Sequence, residues 1–146
     1  MAMSVGRKKA VLVIDDSRTL RTFIRGVLEF AGYRVHEAES MEQAFRDVDV
    51  AHVDAVLCDI FMPGMGGLEG IRHIETTWPS VPIIAMSAGI EDKVSETEVL
   101  NATEKLGANA KLPKPFKPEQ LLETVDKLLS AAYLLCLIRK FSCKDS

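Results

Sequence analysis

A chain of 146 residues, 47% hydrophobic and 27% charged, holds enough for one compact domain with a full core and little more. Its formal net charge of -3, with both signs interspersed, leaves no basic patch for nucleic acid, and no N-terminal stretch has the apolar length of a secretory signal. A cytoplasmic protein is expected, one that binds no nucleic acid and enters no membrane. Its three cysteines, Cys58, Cys136 and Cys143, form neither a CxxC pair nor an even framework, so they support neither a disulfide scaffold nor a zinc site.

Ala10 to Ile14 (AVLVI) is β-branched and continuously apolar, the pattern of a strand buried on both faces, and it ends in Asp15 and Asp16. Ser17 is placed to cap a helix in which Leu20, Phe23, Ile24, Val27, Leu28 and Ala31 recur at helical spacing before Gly32 stops it. The other face of that helix carries Arg18, Arg21 and Arg25. Tyr33 to Ala38 alternates like an edge-side strand, which puts His36 at the surface, and Met41 to Val48 reads as a short helix.

The stretch Ala55 to Gly67 (AVLCDIFMPGMGG) organises the rest. Its apolar run stops at Asp59 and turns through Pro63 and Gly64, the signature of a covered strand opening into a loop. On this stretch alone, Asp59 serves equally well as a loop cap. Leu68, Ile71 and Ile74 then begin a third helix that ends before Pro79. Val81 to Met86 (VPIIAM) is a fourth buried strand, with Pro82 tolerated at its start and Ser87 at its end. Val94 to Leu106 reads as a helix stopped by Gly107, and Ala108 to Leu112 as a short fifth strand with Lys114 at its end. Pro118 fits the first turn of a last helix, striped by Leu121, Leu122, Val125, Leu128, Leu129 and Ala132.

Strands alternating with helices imply right-handed crossovers and a parallel sheet covered on both faces. The C-terminal strand ends of such a sheet lie along one edge, so Asp15, Asp16, Asp59, Ser87 and Lys114 are expected to converge. Close carboxylates repel, at about 4 kcal/mol for each contact near 4 Å at an effective dielectric of 20, so the cluster calls for a cation. An all-oxygen set suits Mg²⁺ better than a soft metal, and Lys114 adds a fixed positive charge. A plain ion-pair network accounts for Lys114 with one aspartate and leaves two acids uncompensated.

The pieces AVLVIDDS, LCDIFMPGMGG, IIAMSAG and KPF, in this order and spacing, resemble the receiver domain of two-component response regulators over about residues 8 to 129. The resemblance implies an α/β fold, a doubly wound five-stranded parallel sheet of order 2-1-3-4-5 in the flavodoxin-like (βα)5 manner, and a cis bond before Pro115. It implies Asp59 as phosphoacceptor, Asp15, Asp16, Asp59 and Phe61 as the Mg²⁺ site, Ser87 as switch hydroxyl and Lys114 as phosphate-binding lysine. The implied donor is a phosphohistidine on a sensor histidine kinase or phosphotransfer protein. Signalling to a downstream protein target would run through the face of the helix over 94–106, the fifth strand and the last helix. Such a chain is no enzyme beyond its own phosphorylation and dephosphorylation. A non-phosphorylated adaptor receiver is the alternative, and the intact acidic cluster argues against it.

The chain departs from the family at Lys111, where an aromatic residue usually couples to the hydroxyl switch. A dinucleotide enzyme is set aside because Glu69 takes the third glycine position of GxGxxG, and an FMN carrier because Asp15 and Asp16 would repel a phosphate. An aspartate-nucleophile phosphatase needs a second acid where Phe61 stands. Beyond the domain, residues 130–146 form an apolar extension. Leu128 to Ile138 is almost wholly apolar, and from Tyr133 onward Leu134 to Ile138 would be apolar on every side of a helix; too short for a bilayer, the stretch is either a continuation of the last helix that packs against a second copy or a partner, or a vector-derived or truncated segment.

Overall fold

The computed structural model describes residues 8–61, 66–88 and 107–142, the last twelve by their backbone. The helix expected over 94–106 lies outside the described residues, as do Pro63, Gly64 and Gly89.

Strands β1 (Ala10–Ile14), β2 (Arg34–Ala38), β3 (Ala55–Asp59), β4 (Ile83–Ala88) and β5 (Ala110–Lys114) form one sheet of order β2-β1-β3-β4-β5. Every neighbouring pair is parallel. Four helices are described: α1 (Arg18–Phe30), α2 (Met41–Asp47), α3 (Gly67–Thr77) and α4 (Pro118–Ser142). Because side chains alternate along a strand, the apolar runs feed two cores at once. Leu12, Ile14, Val56, Cys58, Ile83 and Ala85 join Met41, Ile71 and Ile74 on the side of α2 and α3. Val11, Val13, Leu57, Ile84, Met86 and Leu112 join Ile24, Leu28, Leu121 and Val125 on the side of α1 and α4. Each fully buried Leu or Ile contributes roughly 2 kcal/mol by area removed from water, so the doubly covered sheet is the main source of stability.

Local signals set the helix ends. The Ser17 side chain accepts from the Leu20 N–H at 3.2 Å, and the Ser40 side chain from the Gln43 N–H at 3.0 Å. Gly32, at φ +98, turns the chain out of α1 in a conformation that side-chain-bearing residues rarely adopt. Gly67 answers a different demand. A Cβ there would lie 2.1 Å from the Ile60 Cα, so only glycine lets α3 begin hard against the exit of β3.

Strands β4 and β5 each start and end two residues later than the sequence pattern suggests. Pro82 has no N–H for a ladder, so regular pairing of β4 starts at Ile83 and carries Ser87 inside the strand. Its partner follows, with Ala88 opposite Lys114 and Ser87 opposite Pro113. A 3-10 turn at Val50–His52, unmarked in the sequence pattern, leads into β3 and buries Val50. The last helix runs on through Ser142. Among the described residues, no helix is long and apolar enough to cross a membrane.

Candidate functional site

The ends of β1, β3 and β5 meet at one edge of the sheet, and the residues there are Asp15, Asp59 and Lys114. The lysine Nζ donates to Asp15 Oδ2 at 2.9 Å and to Asp59 Oδ2 at 3.1 Å, bridging residues that are 99 and 55 positions away in the chain. The other oxygen of each acid is held by the backbone just beyond it. Asp15 Oδ1 accepts from the Ser17 N–H at 2.7 Å and Asp59 Oδ1 from the Phe61 N–H at 2.9 Å. Both carboxylates are thus held through both oxygens at the ends of paired strands, a preorganised arrangement.

Asp16 completes the acidic group: one oxygen from each of Asp15, Asp16 and Asp59 lies within 4.8 Å of the others. Asp15 is fully buried, Asp59 almost so, and Asp16 exposed, so the group opens to solvent on one side. The donors are hard oxygens, and an exposed side leaves room for water, which suits a divalent cation of the Mg²⁺ or Ca²⁺ type. Phe61 has no ligand atom in its side chain, which is partly exposed, so only its backbone carbonyl can join such a set.

Burial dominates the acid–base character. It raises the Asp59 carboxyl above its ordinary value, with the Phe61 N–H and Lys114 working against the rise and Asp15 adding to it. At Lys114 burial opposes the charge, but the hydrogen bond to Asp15 and the two carboxylates outweigh it and raise the ammonium. Cys58, next to Asp59 but on the opposite face of β3, is buried and pushed up to about 12, first by burial and then by Asp59 and Asp15. It behaves as an inert core thiol.

The sequence pattern also matches the model of the response regulator receiver domain over residues 11–126. The chain belongs to the response regulator receiver family. Among curated receiver-bearing relatives, the response regulator MprA of Mycolicibacterium vanbaalenii is 38% identical over 120 residues, which cover 82% of this chain and 49% of that protein. The MprA of Mycobacterium leprae is likewise 38% identical over 120 residues, covering 82% of this chain and 50% of that protein. This receiver therefore spans about half the length of the curated relatives it matches. Among solved structures, the chemotaxis protein CheY4 of Vibrio cholerae superimposes with a TM-score of 0.74 at 29% identity, over 84% of this chain and 99% of that one. A CheY-like receiver domain protein from Methanospirillum hungatei gives a TM-score of 0.77 at 25% identity, over 87% of this chain and 98% of that one.

Ser87, the expected switch hydroxyl of the receiver, is fully buried near the end of β4. Lys111 is half-buried in β5 where receivers usually carry an aromatic residue, so the departure seen in the sequence persists in the fold. The bond between Lys114 and Pro115 is cis. His36 is exposed on β2, as its alternating strand suggests.

Other contacts of the receiver were not legible. Arg21 and Arg25 read as members of a solvent-facing stripe, yet both reach Glu37 of β2, at 3.1 Å and 2.7 Å. Tyr33 donates its hydroxyl to Asp126, tying the loop after α1 to α4, and burial followed by that bond raises the phenol. The only signal for the two arginine pairs was opposite charge on neighbouring elements, which becomes specific once the strand order is known.

Proposed function

We propose that Asp59 accepts a phosphoryl group from the phosphohistidine of a sensor histidine kinase or phosphotransfer protein, and that Asp15, Asp16, Asp59 and the Phe61 carbonyl hold Mg²⁺ during the transfer. The carrying observation is the Lys114 bridge between one oxygen of Asp15 and one of Asp59, beside a third acid. Family membership supports the kinase or phosphotransfer partner.

The chemistry follows from the geometry. An Asp59 oxygen attacks phosphorus in line, an O–P bond forms, and the histidine nitrogen leaves with the electron pair of the broken N–P bond. Burial works against the ionised Asp59 that attack requires, and the Phe61 N–H and Lys114 favour that ionised form and aim it. As charge spreads over the equatorial oxygens, the Lys114 ammonium is already in place to meet it without reorganising. A divalent cation held by Asp15, Asp16 and Asp59 would supply further neutralisation of those oxygens and would let a phosphate approach the acidic pair. Ser87 then hydrogen-bonds the acyl phosphate, biasing the face of the 94–106 segment, β5 and α4 toward a downstream protein target. With Lys111 in place of an aromatic residue, either a different residue reports the switch or a charged face does.

Incubation with acetyl phosphate and Mg²⁺ is expected to add one phosphoryl group in intact mass, with none in Asp59→Ala and none in excess EDTA. Labelling of the Asp59→Ala protein would falsify the assignment.

The receiver unit is proposed to be residues 8–129, with 130–146 an extension whose partner is a second copy of the chain. The support is that α4 continues to Ser142 while the sequence from Leu134 to Ile138 is apolar on every side of such a helix. Burying four apolar side chains of that extension would contribute on the order of 6–12 kcal/mol before association costs. Deleting Tyr133 to Ser146 is expected to convert a dimer to a monomer in sedimentation while Asp59 labelling is retained. An intact chain that sediments as a monomer at high concentration ends this part of the proposal.

A further inference from the structure

We infer that Arg21 is a positioning residue for the divalent cation held by Asp15 and Asp16, an inference that rests on the metal site proposed above. Arg21 lies in the first turn of α1, where its backbone N–H donates to the Ser17 carbonyl at 3.0 Å. Its side chain does not follow the helix outward. Nη1 turns back and donates to the backbone carbonyl of Asp15 at 2.7 Å, while Nε donates to Glu37 at 3.1 Å. The guanidinium is mostly buried between them, at 12% exposure.

The acceptor is what matters. The Asp15 carbonyl belongs to the peptide that joins Asp15 to Asp16, and a peptide is a rigid plane. Fixing its oxygen fixes the plane from whose two ends both acidic side chains depart. The Asp15 carboxylate has further restraints in the Ser17 N–H and Lys114, but the exposed Asp16 is placed largely by the plane it leaves. A cation that needs oxygens from both residues needs that plane held.

Arg21 is itself held. Glu37 accepts from Arg21 and, at 2.7 Å, from Arg25, which pairs in turn with Glu29 at 3.1 Å. Arg25 first, against some burial, and then Arg21 keep the Glu37 carboxyl below its ordinary range, so it stays charged at neutral pH. Strand β2 also touches the acidic loop directly, because the Asp15 N–H donates to the Ala38 carbonyl at 3.1 Å. The residue next to that carbonyl is Glu37, so one strand end sets the Asp15 N–H and, through Arg21, the Asp15 carbonyl.

Groups that orient metal ligands typically change metal affinity by about 10–100-fold when removed. A merely structural pair between α1 and β2 would change stability and leave affinity alone. The test is a Mn²⁺ titration of the full chain, read from the paramagnetic resonance signal of free Mn²⁺, with urea unfolding of the metal-free protein alongside. Arg21→Met, which keeps the reach and loses both donors, is expected to bind about 10-fold more weakly or worse. Arg21→Lys, whose single ammonium cannot reproduce the fork, should fall between. Glu37→Gln leaves Arg21 in place but loosens its hold, with a loss of a few fold, and it decides the matter if Arg21→Met does not fold. Wild-type affinity in Glu37→Gln and in any Arg21 variant that folds overturns the inference, whatever happens to stability. A wild-type chain that binds no Mn²⁺ overturns the metal site itself, a distinct outcome.

Discussion

Replacing Lys114 with methionine is expected to slow phosphoryl uptake at Asp59 by about 10²–10³-fold, the usual cost of removing one preorganised charge from a transition state. The same change should cost the fold on the order of 2–3 kcal/mol at pH 7. Lys114 is 17% exposed and sits between carboxylates that are 0% and 7% exposed, so its loss leaves two buried acids facing each other. Burial already shifts Asp59 toward its protonated form, which works to relieve part of the penalty. The pH dependence follows from that. An acid whose folded value lies above its unfolded value destabilises the fold when ionised, so its penalty is full above the folded value and absent below the ordinary 3.8. Loss of Lys114 raises Asp59 further, and the gap between wild type and variant should shrink as pH falls through the carboxylate range. At the alkaline end the Lys114 ammonium, raised in the fold, contributes stability below its ordinary 10.5 and loses it as pH rises through the folded value. Urea unfolding at pH 4 and pH 7 checks the acid side; a gap that widens toward acid would contradict it.

The phosphorylated protein is expected to be long-lived, and Phe61→Asn to shorten its lifetime by about 10-fold or more. Hydrolysis of an acyl phosphate needs a water held in line, and a positioned polar group is worth roughly 10²–10⁴ in such a step. Phe61 stands two residues beyond Asp59 with its backbone N–H on the Asp59 carboxylate and its ring at the rim, 44% exposed. A phenyl ring there can shield phosphorus and can orient nothing; an amide can hold a water. Decay of the phosphorylated mass in the absence of donor gives both rates. An equal or slower decay in Phe61→Asn would leave the ring without this role.

What the sequence made legible, and what it did not, divides along a physical line. The interiors of β1 and β3 were readable because strands buried on both faces are continuously apolar, and Asp15 and Asp59 were readable as the points where those runs stop. The C-terminal ends of β4 and β5 were displaced by two residues because a strand ends where its neighbour stops pairing, and nothing local encodes that. Convergence of Asp15, Asp16 and Asp59 followed from parallel topology alone, but the order of the strands came only through family resemblance, since apolar periodicity is the same in any order. The Arg21 to Glu37 contact was missed for a related reason. Sixteen positions of chain separate the two, and only the pairing of β2 against β1 brings them together.

Among the described residues, β2 and β5 are the outer strands of the sheet, and their composition bears on how this protein meets others. The outer strand β2 is five residues long and presents Arg34, His36 and Glu37, and the outer strand β5 contains Pro113, which has no N–H, between Lys111 and Lys114. Charges, short length and proline are the features that stop one sheet from extending into another. Edges built in this way disfavour extension of the sheet from one chain to the next. Recognition is left to helix surfaces and to the loops at the strand tips, and those loops carry the phosphorylation chemistry proposed for this domain.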